Sequence, residues 1–182
     1  MTLIALLKAD AERQFHYAGR KVDKVTLGAL LKVCLSPRFL PVFLFRSGSW
    51  CASHHLRPLG KFLSLVNFLV FGLEIGLDCP IGPGLYFPHT SGTVIGARRI
   101  GANAVIYHNV TLGAKIPDLS YDPELRPEIG DGAFLGAGCK ILGGITLGND
   151  VTVGANSVVL KSVPSGCLVG GIPAKVIRQM EV

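Results

Sequence analysis

Proton-transfer chemistry in this 182-residue chain would fall first to its imidazoles, because histidine titrates near neutrality and can take or return a proton at working pH. Three of the five histidines, His16, His54 and His55, lie in the first 73 residues, where packing or surface roles are their simplest reading. The other two, His89 and His108, lie in the part of the chain that follows. The cysteines (Cys34, Cys51, Cys79, Cys139 and Cys167) are odd in number and form no CxxC pair. Neither a metal site nor a disulfide framework is therefore expected, and a reducing compartment is implied.

The elements that must position His89 and His108 announce themselves by a six-residue period. From Ile129 the blocks read IGDGAF, LGAGCK, ILGGIT, LGNDVT, VGANSV and VLKSVP, each opening on Ile, Leu or Val and most carrying glycine next. Earlier blocks keep the period: IGLDCP, IGPGLY and FPHTSG from Ile75, then IGANAV and IYHNVT from Ile100. One residue falls out of step around Val94 to Arg99, and residues 114–128 interrupt the pattern as a loop. Three six-residue blocks make one triangular coil with an aliphatic side chain inward from each face, and a coil buries that row only by stacking on the next. A sandwich would show strict period-2 alternation instead. The expected fold is mostly β: a left-handed parallel β-helix over 74–182 with its loop at 114–128, preceded by an α-helical region over 1–73.

That first region reads as helical and connecting segments with breaks at Ser36-Pro37, Gly48 and Pro58, and Leu27, Leu30, Leu31 and Cys34 are spaced for one helical face. Its opening stretch meets acid and base too early for a signal peptide, so a cytoplasmic location is expected. Phe62 to Leu73 is too short to cross a bilayer, which takes roughly 20 residues. With Phe39 to Phe45 and Arg38, Arg46, Arg57 and Lys61 it suits either helix packing or contact with a membrane surface. The basic residues are scattered without interleaved aromatics, which argues against nucleic acid, and the net charge of +6 suits a polyanionic cofactor.

The stretches FGLEIGLDCPIGPGLYFPHTSGTVIG, IYHNVTLGA, RPEIGDGAFLGAGCKILGGITLG and GANSVVLKSVPSGCLVGGIPAKVI resemble the hexapeptide-repeat acyltransferases, in their serine acetyltransferase-like branch. The resemblance covers roughly residues 71–175. It implies acetyl-CoA as co-substrate, no metal, a homotrimer with active sites between neighbouring solenoids, and His89 as general base. It also implies Glu74, in the place of an aspartate, as the carboxylate orienting that base. His108 and Arg126 become acceptor contacts. Gly136, Ala137, Gly154 and Ala155 become the path of the pantetheine, with Lys161 and Lys175 near its phosphates.

The sequence also departs from this branch. Pro88 stands before His89 where an aspartate is expected, Leu35-Ser36-Pro37-Arg38 replaces an RDPA-like motif, and Leu125-Arg126-Pro127 replaces RHP. An unpaired buried ammonium is costly, so these changes point to an uncharged acceptor. The reading they favour is O-acetylation of a sugar hydroxyl in a polysaccharide or glycan precursor. L-serine acetylation for cysteine synthesis, with Asp122 or Glu124 supplying acidic contacts, is the alternative, and an idle β-helix scaffold is the third reading. Residues 120–127 are expected to act as a lid. The short helical region favours a trimer over a hexamer.

Overall fold

The computed structural model describes residues 1–20, 24–118 and 120–179; the last three residues of the expected β-helix and Leu119 of its loop lie outside them. Four helices come first: α1 (Leu3–Tyr17), α2 (Leu27–Cys34), α3 (Leu40–Ser53) and α4 (Arg57–Phe71). Thr2 and Thr26 cap α1 and α2, each accepting a backbone N–H three residues on, as short hydroxyl side chains do at helix starts. Pro41 and Pro58 sit in the first turns of α3 and α4, where a missing N–H costs nothing. Pro58 therefore opens a helix at the expected break.

Gly48 breaks nothing: it lies inside α3, where α4 crosses. A Cβ on Gly60 would come 2.6 Å from the Gly48 carbonyl oxygen, so the absence of side chains lets the two helices meet. In α2 the buried positions are Leu30 and Val33, whereas Leu27 and Leu31 face outward. The expected face at Leu27, Leu30, Leu31 and Cys34 is therefore turned by about one residue.

Strands follow from residue 73: β1 (Leu73–Ile75), β2 (Thr93–Ile95), β3 (Arg99–Ile100), β4 (Val105–Ile106), β5 (Thr111–Gly113), β6 (Glu128–Ile129), β7 (Phe134–Leu135), β8 (Lys140–Leu142), β9 (Thr146–Leu147), β10 (Thr152–Val153), β11 (Val158–Val159), β12 (Cys167–Gly171) and β13 (Ala174–Gln179). They form three sheets, in the orders β1-β2-β5-β8-β11, β3-β6-β9 and β4-β7-β10-β12-β13. Every pairing is parallel except β12 with β13. This is the expected left-handed β-helix, with one sheet on each face of a triangular prism.

Register shows the period directly. Phe134 pairs with Thr152, Lys140 with Val158 and Glu128 with Thr146, each 18 residues apart. Val105 with Phe134 and Arg99 with Glu128 are 29 apart, so the loop adds 11 residues to one coil. The inward row of Ile129, Leu135, Ile141, Leu147, Val153 and Val159 is buried throughout. Each such side chain contributes about 1.5–3 kcal/mol of hydrophobic stabilisation.

A buried ion pair docks the helices onto the first coil. Asp10 in α1 and Arg46 in α3 bond through Nε to Oδ2 at 2.9 Å and Nη2 to Oδ1 at 3.1 Å. The same guanidinium donates to the carbonyls of Ile81 and Gly82, both at 2.6 Å, and the Leu85 amide donates to Asp10 at 2.8 Å. Burial pushes the Asp10 carboxyl up, against the pull of Arg46. Asp10→Ala would strand a buried guanidinium and should remove about 3–5 kcal/mol of stability, read as a lowered midpoint in urea unfolding.

Candidate active site

The edge between the β4–β7–β10 face and the β2–β5–β8 face carries both histidines. Tyr86 bridges to Val105 in parallel, which sets Pro88 beside Tyr107 and His89 beside His108. The pairing Ile106–Leu135–Val153 continues that edge, and the bonds from Gly138 N to His108 O and from Asn156 N to Ala137 O fix its register. The result is a column of one residue per coil: His89, His108, Ala137, Ala155. The two imidazoles meet edge to face, with ring centroids 5.7 Å apart and planes at 82°.

The His89 corner is longer than those beneath it. Tyr86 to Val94 spans eight residues where the paired Val105 to Thr111 spans six. The surplus lies in the Pro88–Gly92 turn, where His89 is exposed. Thr90 Oγ1 donates to the Phe71 carbonyl at 2.9 Å, and Thr93 N donates to Gly72. These bonds hold the turn against the start of β1, two residues before Glu74. Glu74 points outward in register with Val94, Thr111, Lys140 and Val158. Among the described residues no hydrogen bond joins it to His89. His108 is half-buried, and its Nδ1 is shut from solvent without a partner among the described residues.

Below the imidazoles the column narrows to small residues, though not all for one reason. A Cβ on Gly136 would lie 2.7 Å from Val153 O and 2.8 Å from Ala155 N. This glycine exists for coil stacking, which explains it without a pantetheine. Gly154 has only ordinary contacts at 3.4 Å, and Ala137 and Ala155 border solvent. Lys161 and Lys175 are both exposed near the far end of the prism.

Arg126 is engaged within its own chain. Buried at 9 % exposure, it donates to the Asp118 carboxylate at 2.9 Å and to the carbonyls of Asp118 and Gly96 at 3.3 Å, and its guanidinium covers the Tyr121 ring at 3.5 Å. Both Nη groups anchor the loop, while the buried Nε has no partner among the described residues. Asp122 caps the short 3-10 turn Pro123–Leu125, accepting from Glu124 N at 2.9 Å, and Glu124 pairs with Arg98 at 3.0 Å. The Glu124 side chain stays 71 % exposed in that pair.

The loop also packs on the opposite edge from the histidines. A Cβ at Gly76 would sit 2.7 Å from the Tyr121 hydroxyl, and one at Gly96 would meet Arg126 at 2.7 Å. Those glycines follow β1 and β2, whereas His89 precedes β2, about 10 Å away across three strand residues. The loop therefore does not cover the His89 of its own chain.

Sequence reasoning passed over an aromatic and basic flank to this corner. Tyr17 stacks on Tyr86 with centroids 4.8 Å apart, Arg13 lies 5.1 Å over Tyr17, and the charge of Arg38 acts on Tyr86. The alternation Leu85 in, Tyr86 out, Phe87 in was the available signal. The thiols of Cys79 and Cys139 are pushed up to about 12 by burial, so neither is a nucleophile near neutral pH. Among the described residues no group of three or more metal-ligating side chains occurs.

Residues 126–161 match the family model "Bacterial transferase hexapeptide (six repeats)", which sets the class as a hexapeptide-repeat transferase. A serine acetyltransferase of Staphylococcus xylosus is 43 % identical over 122 residues, covering 66 % of this chain and 55 % of that protein. One of Mycobacterium tuberculosis is 33 % identical over 165 residues, covering 90 % of this chain and 71 % of its own length. The crystal structure of serine acetyltransferase in complex with coenzyme A from Brucella abortus strain S19 superposes with a TM-score of 0.82 at 26 % identity, covering 98 % of this chain and 68 % of that one. The chain belongs to the serine acetyltransferase family of hexapeptide-repeat transferases. It spans between 55 and 71 % of the two curated relatives' lengths. A glycan hydroxyl as acceptor is overturned by these relatives, each of them a serine acetyltransferase.

The loop latch carries a pH dependence. The Ser120 hydroxyl, then Arg126 and the Asp122 amide, hold the Asp118 carboxyl below its ordinary 3.8, against desolvation. A folded value below the unfolded one stabilises the latch fully above pH 3.8 and is lost as pH falls through the folded value. Amide exchange in residues 120–127, corrected for intrinsic rate, should accelerate in acid, and Asp118→Asn should show the faster exchange already at neutral pH.

Proposed function

We propose that this chain transfers the acetyl group of acetyl-CoA to the hydroxyl of L-serine. The observation that carries this reading is the column on one prism edge: two touching imidazoles followed by two small residues in register. It offers a base at one end and an unobstructed strip for a long thioester below. The relatives' activity supports the same reading, and the coenzyme A complex of the Brucella protein supports the co-substrate.

A serine hydroxyl is a weak nucleophile at neutral pH, so His89 takes its proton as the oxygen attacks the acetyl carbonyl. The tetrahedral intermediate collapses with cleavage of the carbon–sulfur bond, and the imidazolium returns the proton to the departing CoA thiolate. No acyl-enzyme forms, in keeping with the burial of Cys79 and Cys139. Glu74 is the carboxylate proposed to orient His89 once substrate is bound, since catalytic hydrogen bonds often tighten only in the complex. His108 is proposed to hold the acceptor. Ala137, Gly154 and Ala155 leave room for the pantetheine, with Lys161 and Lys175 placed for its phosphates.

A homotrimer is proposed with this mechanism. His89 is exposed on its own chain, and a second solenoid beside the same edge would supply the missing wall and exclude water. The test is thiol release from acetyl-CoA with and without L-serine. His89→Ala should lower kcat by about 10²–10⁴ with the fold intact by circular dichroism, and Glu74→Gln should lower it less. Serine-dependent turnover that is unchanged in His89→Ala would remove the base from the scheme. Failure to bind CoA would leave the scaffold reading in its place.

A further inference from the structure

Helix α4 leaves most of its large apolar side chains in solvent. Its buried residues are Gly60 and Asn67, and Asn67 donates to the Pro41 carbonyl at 3.0 Å. The outward arc holds Leu59, Phe62, Leu65, Phe68, Leu69 and Val70, from 47 to 70 % exposed. A surface helix of a soluble domain ordinarily buries its apolar stripe, and a contiguous exposed apolar face marks an interaction surface.

Charge says what this surface faces. Residues 24–73 contain six lysines and arginines and not one aspartate or glutamate, while the rest of the chain balances at 12 against 12. The whole net charge of +6 is therefore concentrated in the segment that carries α2, α3 and α4. Arg46 is buried against Asp10, and Arg57 reaches Asp78 at 3.0 Å. Lys24, Lys32, Arg38 and Lys61 remain exposed, Lys61 on α4 itself. Helix α2 repeats the pattern, with Leu27, Leu31 and Leu35 exposed at one-turn spacing around Lys32.

We propose that α4 lies flat in the headgroup region of an anionic membrane, its apolar arc among the acyl chains and the Lys61 ammonium on lipid phosphates. No helix among the described residues is long and apolar enough to cross a membrane. At 15 residues, α4 is about 22 Å long, short of the roughly 30 Å hydrocarbon core but sufficient for interfacial binding. A second copy would cover the arc but leave the basic excess unanswered, because residues 24–73 hold no carboxylate to pair with it.

The test is flotation of the full chain with phosphatidylcholine vesicles, with and without phosphatidylglycerol, alongside light scattering without lipid. The wild-type chain should partition about tenfold or more in favour of the anionic vesicles, and added salt should weaken it. Leu65→Glu with Leu69→Glu should abolish flotation while thermal unfolding and mass stay unchanged. Lys61→Gln, which cannot disturb packing, should weaken it measurably. Absence of flotation with anionic vesicles would overturn the proposal. So would equal flotation of the wild-type and doubly substituted chains, or a drop in mass on the double substitution, which would assign the face to a second copy.

Discussion

Backbone hydrogen bonding in this fold runs between coils, because each two- or three-residue strand finds its partners 16–29 residues away in the coils above and below. A coil at the end of the stack is left with unpaired peptide groups, and buried unpaired groups are expensive. The Asp10–Arg46 pair meets this constraint at the first coil, where the guanidinium takes two carbonyls and the carboxylate takes an amide. An ion pair alone would be a poor source of stability in the interior. Here each charge completes its hydrogen bonding on backbone that has no earlier coil to bond. The helical region and the solenoid are thereby one structure, and the His89 turn, tied to the end of α4 through Phe71 and Gly72, inherits that rigidity.

The inward rows of the prism were legible in the sequence because their cause is local: an aliphatic residue every six positions has one place to go. The same holds for the interruption at 114–128, which the register resolves as an 11-residue insertion. What escaped was set by distant contacts. Gly48 reads as a break because a glycine in isolation says nothing of a crossing helix, and Leu27 and Leu31 read as sharing a face with Leu30 because spacing does not tell which side of a helix is covered.

The site divides in the same way. His89 and His108 stand on one edge because the period puts them there, but the two extra residues that push His89 outward appear only when the coils are paired. Motif position marks Arg126 as an acceptor contact, and its contacts within the chain, with Asp118, Gly96 and Tyr121, show in addition that it holds the loop. The choice of a sugar acceptor failed for a related reason. Three altered motif positions suggested an uncharged substrate, but such positions constrain an acceptor only when every group facing it is known.

At the other end of the prism, β13 turns back and pairs antiparallel with β12. Every other strand in the stack offers its neighbour a parallel template, so an open last coil would be a growth point for another solenoid, chain after chain, into a fibre. On its face of the prism the reversed strand, bulged and carrying Lys175 and Arg178, breaks the coil repeat that a further solenoid would have to continue. The final hairpin thus works as a stopper on one of the three faces of a fold that could otherwise propagate.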